Sequence, residues 1–313
     1  MIRKISTNGM NRAAWLEARR RSIGGSDAAA IVGLNPYSGP YTVWLDKIGK
    51  AEEKPETEAM RQGRDLEEYV AQRFTEQTGK RVRRENAILY NDAYPFAHAN
   101  IDRRVEGENT ILECKTSSKL KLHAFKDGNF PPAYYVQCMH YLAVTEAQKA
   151  YLAVLVLGEG LYVYDVERNE DEIKSLMAAE REFWDCVEKG IEPKVQGSAD
   201  ADALASAYPE AEEGKSISLF GMSPQLEKYV YLKGKEKEYH QEADSVAAII
   251  QQAMADAETG TDGWYTVKWK NEKRKSFDQK AYEAMHGKDA LAPWMKETTY
   301  RRFTVKDQRP KGL

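Results

Sequence analysis

Five short segments with the composition of β-strands lie between residues 86 and 167, and they constrain the fold of this 313-residue chain more than any other feature. They cover residues 86–92, 96–105, 110–116, 151–157 and 161–167. Each is rich in β-branched and aromatic residues and is bounded by Gly, Pro or Asn-Asp, as is typical of strands. A helical segment, residues 132–145, opens after two prolines between the third and fourth strands. This order predicts an α/β core.

Two longer helices are predicted on either side of these segments along the chain. Residues 57–78 place Met60, Val70 and Phe74 on one stripe and end at Gly79. Residues 170–189 carry a second apolar stripe and end at Gly190. We therefore expect one domain over residues 1–193.

The pattern changes beyond residue 193. Residues 194–215 are rich in Ala, Ser, Asp and Glu without sustained periodicity, which indicates an acidic linker. Residues 216–313 predict an α+β extension that makes a DNA or oligomer contact, with a long helix over 224–257 whose polar middle is typical of a solvent-bridging or intersubunit helix. The other elements expected there are a strand at 264–270, a helix at 281–287 and a strand at 299–306.

The composition excludes several classes of protein. With 42% hydrophobic and 30% charged residues, neither a disordered nor a fibrous chain is expected. The longest apolar stretch, residues 151–157, is too short to cross a bilayer, and the polar start offers no signal-peptide core, so we expect a cytoplasmic protein without membrane contact. Cys114, Cys138 and Cys186 are scattered and odd in number, which predicts free thiols.

Lys and Arg are clustered along the chain. The net charge of -3 argues weakly against a nucleic-acid partner. However, residues 3–21 and 268–280 each hold six cations, and Trp264 and Trp269 accompany the second group. One such cluster alone is typical of a solvated surface. Three together favour a polyanionic partner, the third being Arg301, Arg302, Lys306, Arg309 and Lys311.

The most informative polar residues lie on two adjacent predicted strands. Glu113 and Lys115 are two residues apart on one strand, so their side chains share a face. Asp102, on the preceding strand, brings a second carboxylate across a short turn. Two carboxylates and a lysine fit a divalent cation such as Mg²⁺ beside a polarised water. A surface cross-strand salt bridge is the alternative.

Two helical residues bear on the same site. Glu67 lies on the apolar stripe of the 57–78 helix, where it meets either a metal cation or an arginine partner. Gln137 shares a face of the 132–145 helix with Tyr134 and Tyr141. It either orients a metal-bound water or is an exposed helix residue.

Five segments together resemble the YqaJ-type viral recombinase family. Its members are phage alkaline exonucleases similar to the lambda exonuclease, within the PD-(D/E)XK nuclease superfamily. The matching segments are residues 15–37, 60–74, 99–102, 113–115 and 134–137, in the family's order. The resemblance implies a restriction-endonuclease-like α/β core, in which helices flank a central mixed β-sheet.

The resemblance also implies a role for each candidate residue. Lys115 resembles the lysine that positions or activates the attacking water, and Gln137 a glutamine beside the active site. Arg19 and Ser26 fall where the family holds the 5′-phosphate of the DNA end, and an ordinary helix cap at residues 24–27 is compatible with that role. The implied metal ligands are Asp102, Glu113, Glu67 and the backbone carbonyl of Cys114.

Three positions depart from the family pattern. Ile101 replaces the usual Pro before the first acid, and Arg103 replaces the Gly that often follows it. Neither residue is expected to supply a ligand. Met139 stands where relatives often carry a second Gln.

The implied activity is a Mg²⁺-dependent 5′-to-3′ exonuclease that digests one strand of double-stranded DNA from a 5′-phosphorylated end, with Mn²⁺ as a substitute. The implied partners are DNA ends, further copies of the chain in a homo-oligomer, commonly a trimeric ring, and a single-strand annealing protein. For a phage or prophage gene the expected location is the bacterial host cytoplasm. A structure-specific endonuclease of the same fold and a non-catalytic DNA-binding protein on a nuclease fold are the alternatives.

Overall fold

The computed structural model describes residues 1–52, 55–297 and 300–306. The chain divides into two compact units, Met1–Tyr208 and Pro209–Leu313. The candidate catalytic residues all belong to the first unit.

The first unit contains two β-sheets. A five-stranded sheet has the order β2-β5-β6-β7-β8, and a three-stranded sheet has the order β1-β3-β4. Strands β6 and β7 are parallel and the other neighbours are antiparallel, so the larger sheet is mixed. The strands are β1 Ile2–Ser6, β2 Val82–Arg84, β3 Ala87–Asn91, β4 His98–Ala99, β5 Arg103–Val105, β6 Thr110–Ser117, β7 Lys149–Val156 and β8 Gly160–Glu167.

The helices of the first unit begin and end at local signals. The predicted helix at 132–145 is α5, which opens behind Pro131, and the one at 170–189 is α6, which begins at the Asn169 cap and ends at left-handed Gly190. Both predictions are confirmed, as is the 57–78 helix, which is α4. The helices are α1 Arg12–Arg20, α2 Gly25–Ile31, α3 Pro40–Lys47, α4 Glu58–Thr78, α5 Pro132–Thr145, α6 Glu170–Lys189 and α7 Ala201–Ala207, with 3-10 turns at Lys119–Phe125 and Gly197–Asp200.

Strand β6 lies between two hydrophobic clusters. On one face Leu112 and Cys114 pack with Val70 and Phe74 of α4. On the other, Ile111 belongs to the larger cluster that includes α2, α5 and α6. The three cysteines are free thiols, as predicted.

The predicted strand over residues 96–105 is instead two strands. It is interrupted at residues 100–102 between β4 and β5, which belong to different sheets. The chain bends at Asp102 as it passes from the smaller sheet to the larger one. The expectation of one continuous strand was wrong because composition does not show which strand each half pairs with.

The expected linker at 194–215 is also partly wrong. Residues 197–207 form a 3-10 turn and α7, and the first unit extends to Tyr208 instead of residue 193. Asp200 is fully buried, and it accepts hydrogen bonds from the backbone N–H of Thr42 at 2.9 Å and from that of Gln196 at 3.0 Å. The bond from Thr42 caps the first turn of α3, which holds the segment against the unit.

The second unit consists of α8 Ser223–Met254, β9 Thr259–Thr261, β10 Thr266–Lys268, α9 Gln279–His286 and a 3-10 turn at Lys288–Trp294. The predicted strand at 264–270 is the three-residue β10, which pairs with β9 in a hairpin. Residues 300–306 are not a strand, whereas Thr299, Arg309 and Lys311 lie outside the described residues. In neither unit does a described helix have the length and apolarity that a membrane span needs.

Candidate active site

Asp102 and strand β6 form the centre of the site. Because the chain bends at Asp102, its carboxylate Oδ2 accepts a hydrogen bond from the backbone N–H of Cys114 at 2.7 Å. The first acid therefore lies against the middle of β6, one residue from Glu113.

Glu113 joins Lys115 and Gln137 through one carboxylate oxygen. Its Oε1 accepts from Lys115 Nζ at 2.6 Å and from Gln137 Nε2 at 2.7 Å. Gln137 also donates to the Tyr141 hydroxyl at 3.0 Å. Glu113 and Lys115 share a face, as predicted, and Gln137 is buried instead of exposed. The other oxygen, Glu113 Oε2, is buried and has no hydrogen-bond partner among the described residues.

The electrostatics of the site favour a cation. Burial raises the pKa of Asp102 well above its usual value, and the nearby Glu113 and Glu67 raise it further. Burial also raises the pKa of Glu113, although Lys115 opposes that effect. Burial alone would lower the pKa of Lys115, but Glu113 and Asp102 outweigh it and raise the pKa. Lys115 is therefore an ammonium at neutral pH.

Glu67 is held by an arginine. Arg103, whose side chain is 3% exposed, forms an ion pair with Glu67 through Nη1. The same nitrogen donates to the Asp102 carbonyl at 2.7 Å, and Nη2 donates to Glu68 at 3.1 Å. Of the two alternatives for Glu67, the structure has the arginine partner.

Arg103 is the residue of this site that the sequence analysis missed. It was noted only as a replacement for a glycine and was given no place in the site. A signal was available, because side chains alternate along a strand and Arg103 therefore shares a face with the apolar Val105. That face is covered by α4, which carries Glu67 and Glu68.

The carboxylates only partly assemble a metal site. No group of three His, Cys, Asp or Glu side chains within the described ranges is placed to hold a metal ion. Asp102 and Glu113 nevertheless fit a divalent cation, because Oε2 of Glu113 is a buried acceptor without a hydrogen-bond partner among the described residues. Glu67 is paired with Arg103 through Oε1, so Arg103 competes with a metal for that oxygen.

The N-terminal motif, residues 15–37 with Arg19 and Ser26, lies beside this centre. Arg19 Nη2 donates to Ser26 Oγ at 2.9 Å, and its guanidinium lies 4.5 Å from the ring centroid of Trp15. Trp15, Glu67 and Asp102 line one cleft of about 220 Å³. The structure thus brings the two predicted 5′-phosphate residues together, at the side of the cleft that contains the first acid.

Helix α2 packs against Tyr141, whose hydroxyl accepts a hydrogen bond from Gln137 of the site. Gly25 lies so close to the Tyr141 ring that a side chain on it would collide with the ring. The predicted cap is also present, since the Gly24 N–H donates to Asp27 Oδ2 at 2.9 Å. Burial raises the pKa of Asp27, but Lys47, 2.7 Å away, and Arg19 outweigh it and lower the pKa to about 2. Asp27 is therefore an anion that anchors the start of α2.

The other cations of residues 3–21 are mostly neutralised locally. Arg20 pairs with Asp46 at 3.5 Å and Arg21 with Glu17 at 3.4 Å. Carboxylate partners are also present for Arg3, Lys4 and Arg12. Arg19 differs because it donates to a hydroxyl at an exposed helix start.

Two sequence comparisons identify proteins to which this chain is similar. A family model described as the YqaJ-like viral recombinase domain matches residues 14–148. Over 304 residues the chain is 38% identical to a Bacillus subtilis (strain 168) protein named uncharacterized protein YqaJ, covering 95% of each.

A solved structure shows the same fold. A structure of LHK-Exo in complex with dAMP is 19% identical, with a TM-score of 0.50 over 61% of this chain and 98% of that one. Another structure, of the alkaline exonuclease LHK-Exo from Laribacter hongkongensis, is 17% identical, with a TM-score of 0.49 over 63% of this chain and 100% of that one. The predicted α/β core, a mixed sheet flanked by helices, is confirmed.

Proposed function

The chain belongs to the YqaJ-like viral recombinase family, and on that basis and on the chemistry of its site we propose that it is a metal-dependent exonuclease that digests one strand of duplex DNA from a 5′-phosphorylated end. One observation carries the proposal. Glu113 accepts hydrogen bonds from Lys115 and Gln137 with one oxygen, while its other oxygen is buried and has no hydrogen-bond partner among the described residues. The next residue, Cys114, donates its backbone N–H to the Asp102 carboxylate. This unpartnered oxygen, close to a second buried acid, is a ligand that a divalent cation can take.

Asp102 and Glu113 would hold a divalent cation, Mg²⁺ by proposal and Mn²⁺ as a substitute, with Glu67 and the Cys114 carbonyl as further candidates. A bound cation would supply Lewis-acid stabilisation of phosphoryl oxygens and a water of lowered pKa. The buried, mutually repelling carboxylates support this assignment, because a cation would relieve their repulsion.

Lys115 acts in this proposal as a hydrogen-bond donor and a positive charge. Its raised pKa keeps the Nζ ammonium protonated, so it cannot accept a proton from water while Glu113 and Asp102 are ionised. The ammonium instead donates a hydrogen bond to the attacking water or to a phosphoryl oxygen, where negative charge develops. Gln137 donates to the same Glu113 oxygen as Lys115 and keeps that carboxylate oriented.

Arg19 and Ser26 would hold the terminal 5′-phosphate. A guanidinium stacked on Trp15 and a hydroxyl at the start of α2 offer convergent donors to an anion. The shared cleft of Trp15, Asp102 and Glu67 supports a phosphate position near the acids.

Digestion of end-labelled duplexes with Mg²⁺ or EDTA tests the activity and its direction. We expect mononucleotide release from the 5′-phosphorylated strand of the wild-type chain, no release in EDTA, and none from Asp102→Asn. Lys115→Met should lose most of the rate while it still binds Mn²⁺ in calorimetry. Internal cuts in a closed circle would favour the endonuclease alternative, and a wild-type chain that binds DNA without cutting it would favour the non-catalytic one.

The end preference has its own matched set of variants. Arg19→Ala should reduce a preference for 5′-phosphorylated over 5′-hydroxyl ends by about tenfold to a hundredfold, the contribution of a charge-assisted pair. Arg20→Ala and Arg21→Ala are the controls, because these neighbours already pair with Asp46 and Glu17. Equal loss in all three variants, with the preference intact, would remove the end-binding role.

The expected homo-oligomeric ring and the single-strand annealing partner belong to the same proposal. Sedimentation velocity of the full chain, with and without duplex DNA, tests the first. Co-purification with an annealing protein encoded beside the gene tests the second.

A further inference from the structure

A short hairpin in the second unit exposes large aromatic side chains. Strands β9 and β10 pair in register from Thr259–Lys268 to Thr261–Thr266, and the Trp269 N–H donates to the Glu258 carbonyl at 2.9 Å. Trp264 and Tyr265, in the turn, are 92% and 75% exposed. Such exposure is unusual for a tryptophan, whose large apolar surface is normally buried.

The turn that carries these aromatics is itself well bonded. Asp262 Oδ1 accepts from the backbone N–H of Trp264 at 2.9 Å and from that of Tyr265 at 2.8 Å. Gly263 supplies the left-handed conformation, with φ +97°. The two rings are therefore presented by a defined turn.

Unpaired cations follow the hairpin directly. Lys268, Lys270, Lys273, Arg274 and Lys275 form no ion pair with any carboxylate in the described part of the chain, whose ion pairs after residue 208 lie between 212 and 244. The N-terminal cluster is different, because carboxylates neutralise most of its cations. The hairpin and the segment after it thus combine exposed rings with cations that form no ion pair among the described residues.

We propose that this hairpin and the basic segment that follows it, together residues 258–275, bind single-stranded DNA. Phosphates would lie along the cations, and unpaired bases would stack on Trp264 and Tyr265. A duplex fits less well, because its bases already stack on one another and offer no free face to a ring. A protein partner accounts less well for five cations that form no ion pair in the described part of the chain, although Glu272 lies among them in the sequence.

The proposed exonuclease supplies such a ligand. Removal of one strand leaves the other unpaired, so a single-strand site on the same chain would hold the reaction's second product. The claim that the exonuclease produces this single strand rests on the proposed function. The claim that the hairpin binds single-stranded DNA does not.

Fluorescence anisotropy of a labelled oligothymidylate of about 16 nucleotides, with the full chain in EDTA, tests the site without hydrolysis. Trp264→Ala should weaken binding about tenfold, near the lower end of the range for one base-stacking aromatic, whereas Trp264→Phe should retain most of the affinity. Trp294→Ala is the matched control, since Trp294 is also exposed, at 83%, but lies outside the hairpin. Circular dichroism checks that each variant is folded.

Charge and strand specificity give two further readouts. Replacing Lys273, Arg274 and Lys275 with Ala should lower the slope of log affinity against log salt by about 2, from about 0.7 per lost phosphate contact. Trp264→Ala should leave blunt-duplex binding unchanged. Equal effects on both DNA forms, no effect on single strands, or an equal loss in Trp294→Ala would each overturn the proposal.

These outcomes are separable from those of the nuclease assignment. Wild-type digestion together with unaltered oligothymidylate binding in Trp264→Ala would remove the hairpin site and leave the exonuclease. Weakened binding in Trp264→Ala, in a chain that digests no duplex, would support the hairpin site and remove the exonuclease.

Discussion

Replacing Arg103 with methionine should release Glu67 and tighten metal binding. Methionine keeps much of the aliphatic volume of arginine but removes the guanidinium that engages Glu67, Glu68 and the Asp102 carbonyl. Glu67 would then be an unpaired carboxylate near Asp102 and Glu113, and a bound cation would gain a third anionic neighbour.

The expected cost in stability follows from burial. Removing one partner of a buried pair costs about 3–5 kcal/mol. Here the Arg103 side chain is 3% exposed, but Glu67 is 29% and Glu68 68% exposed. Water can therefore hydrate the two glutamates once the guanidinium is gone, which lowers the cost in stability. We therefore expect the free energy of unfolding in EDTA to fall by about 1–3 kcal/mol.

Urea unfolding in EDTA measures that loss, and calorimetric titration with Mn²⁺ measures the metal affinity. We expect the dissociation constant for Mn²⁺ to fall about tenfold in Arg103→Met, which is a gain of about 1.4 kcal/mol in binding free energy. Arg84→Met is the control, because Arg84 pairs with Glu68 at 2.7 Å and is mostly exposed. Unchanged or weaker Mn²⁺ binding in folded Arg103→Met would refute the claim that this arginine keeps Glu67 from the metal.

Three further predictions concern stability and pH. Asp102→Asn should raise the free energy of unfolding at neutral pH in EDTA, measured with urea, because it removes a buried carboxylate that Glu113 and Glu67 repel; a lower value would contradict the repulsion. Asp200→Ala should cost about 2–4 kcal/mol in the same assay, because it removes a buried cap of Thr42, and a loss below about 1 kcal/mol would contradict this. Burial lowers the pKa of His98 from 6.5 to about 3, so the unfolded chain takes up this proton first as the pH falls. Native stability is therefore lost below pH 6.5, by about 1.4 kcal/mol per pH unit, and His98→Gln should flatten that decline in urea titrations between about pH 6 and 4; an unchanged slope would contradict the assignment.

Local signals in the sequence determined much of the fold. Helices α5 and α6 begin and end where predicted because prolines, an asparagine cap and a left-handed glycine act on neighbouring backbone groups. The alternation of side chains along a strand likewise placed Glu113 and Lys115 on one face, where they form a hydrogen bond.

Only the tertiary structure decided the contacts between distant residues. Asp200 caps a helix that begins 160 positions earlier, at Pro40, so its segment looked like an acidic linker in the sequence. The bend at Asp102 depends on β4 and β5 pairing in different sheets. The Arg103–Glu67 pair depends on which face of β6 helix α4 covers. Each of these features depends on side chains that come into contact only when separate elements pack. A local sequence pattern does not determine such contacts.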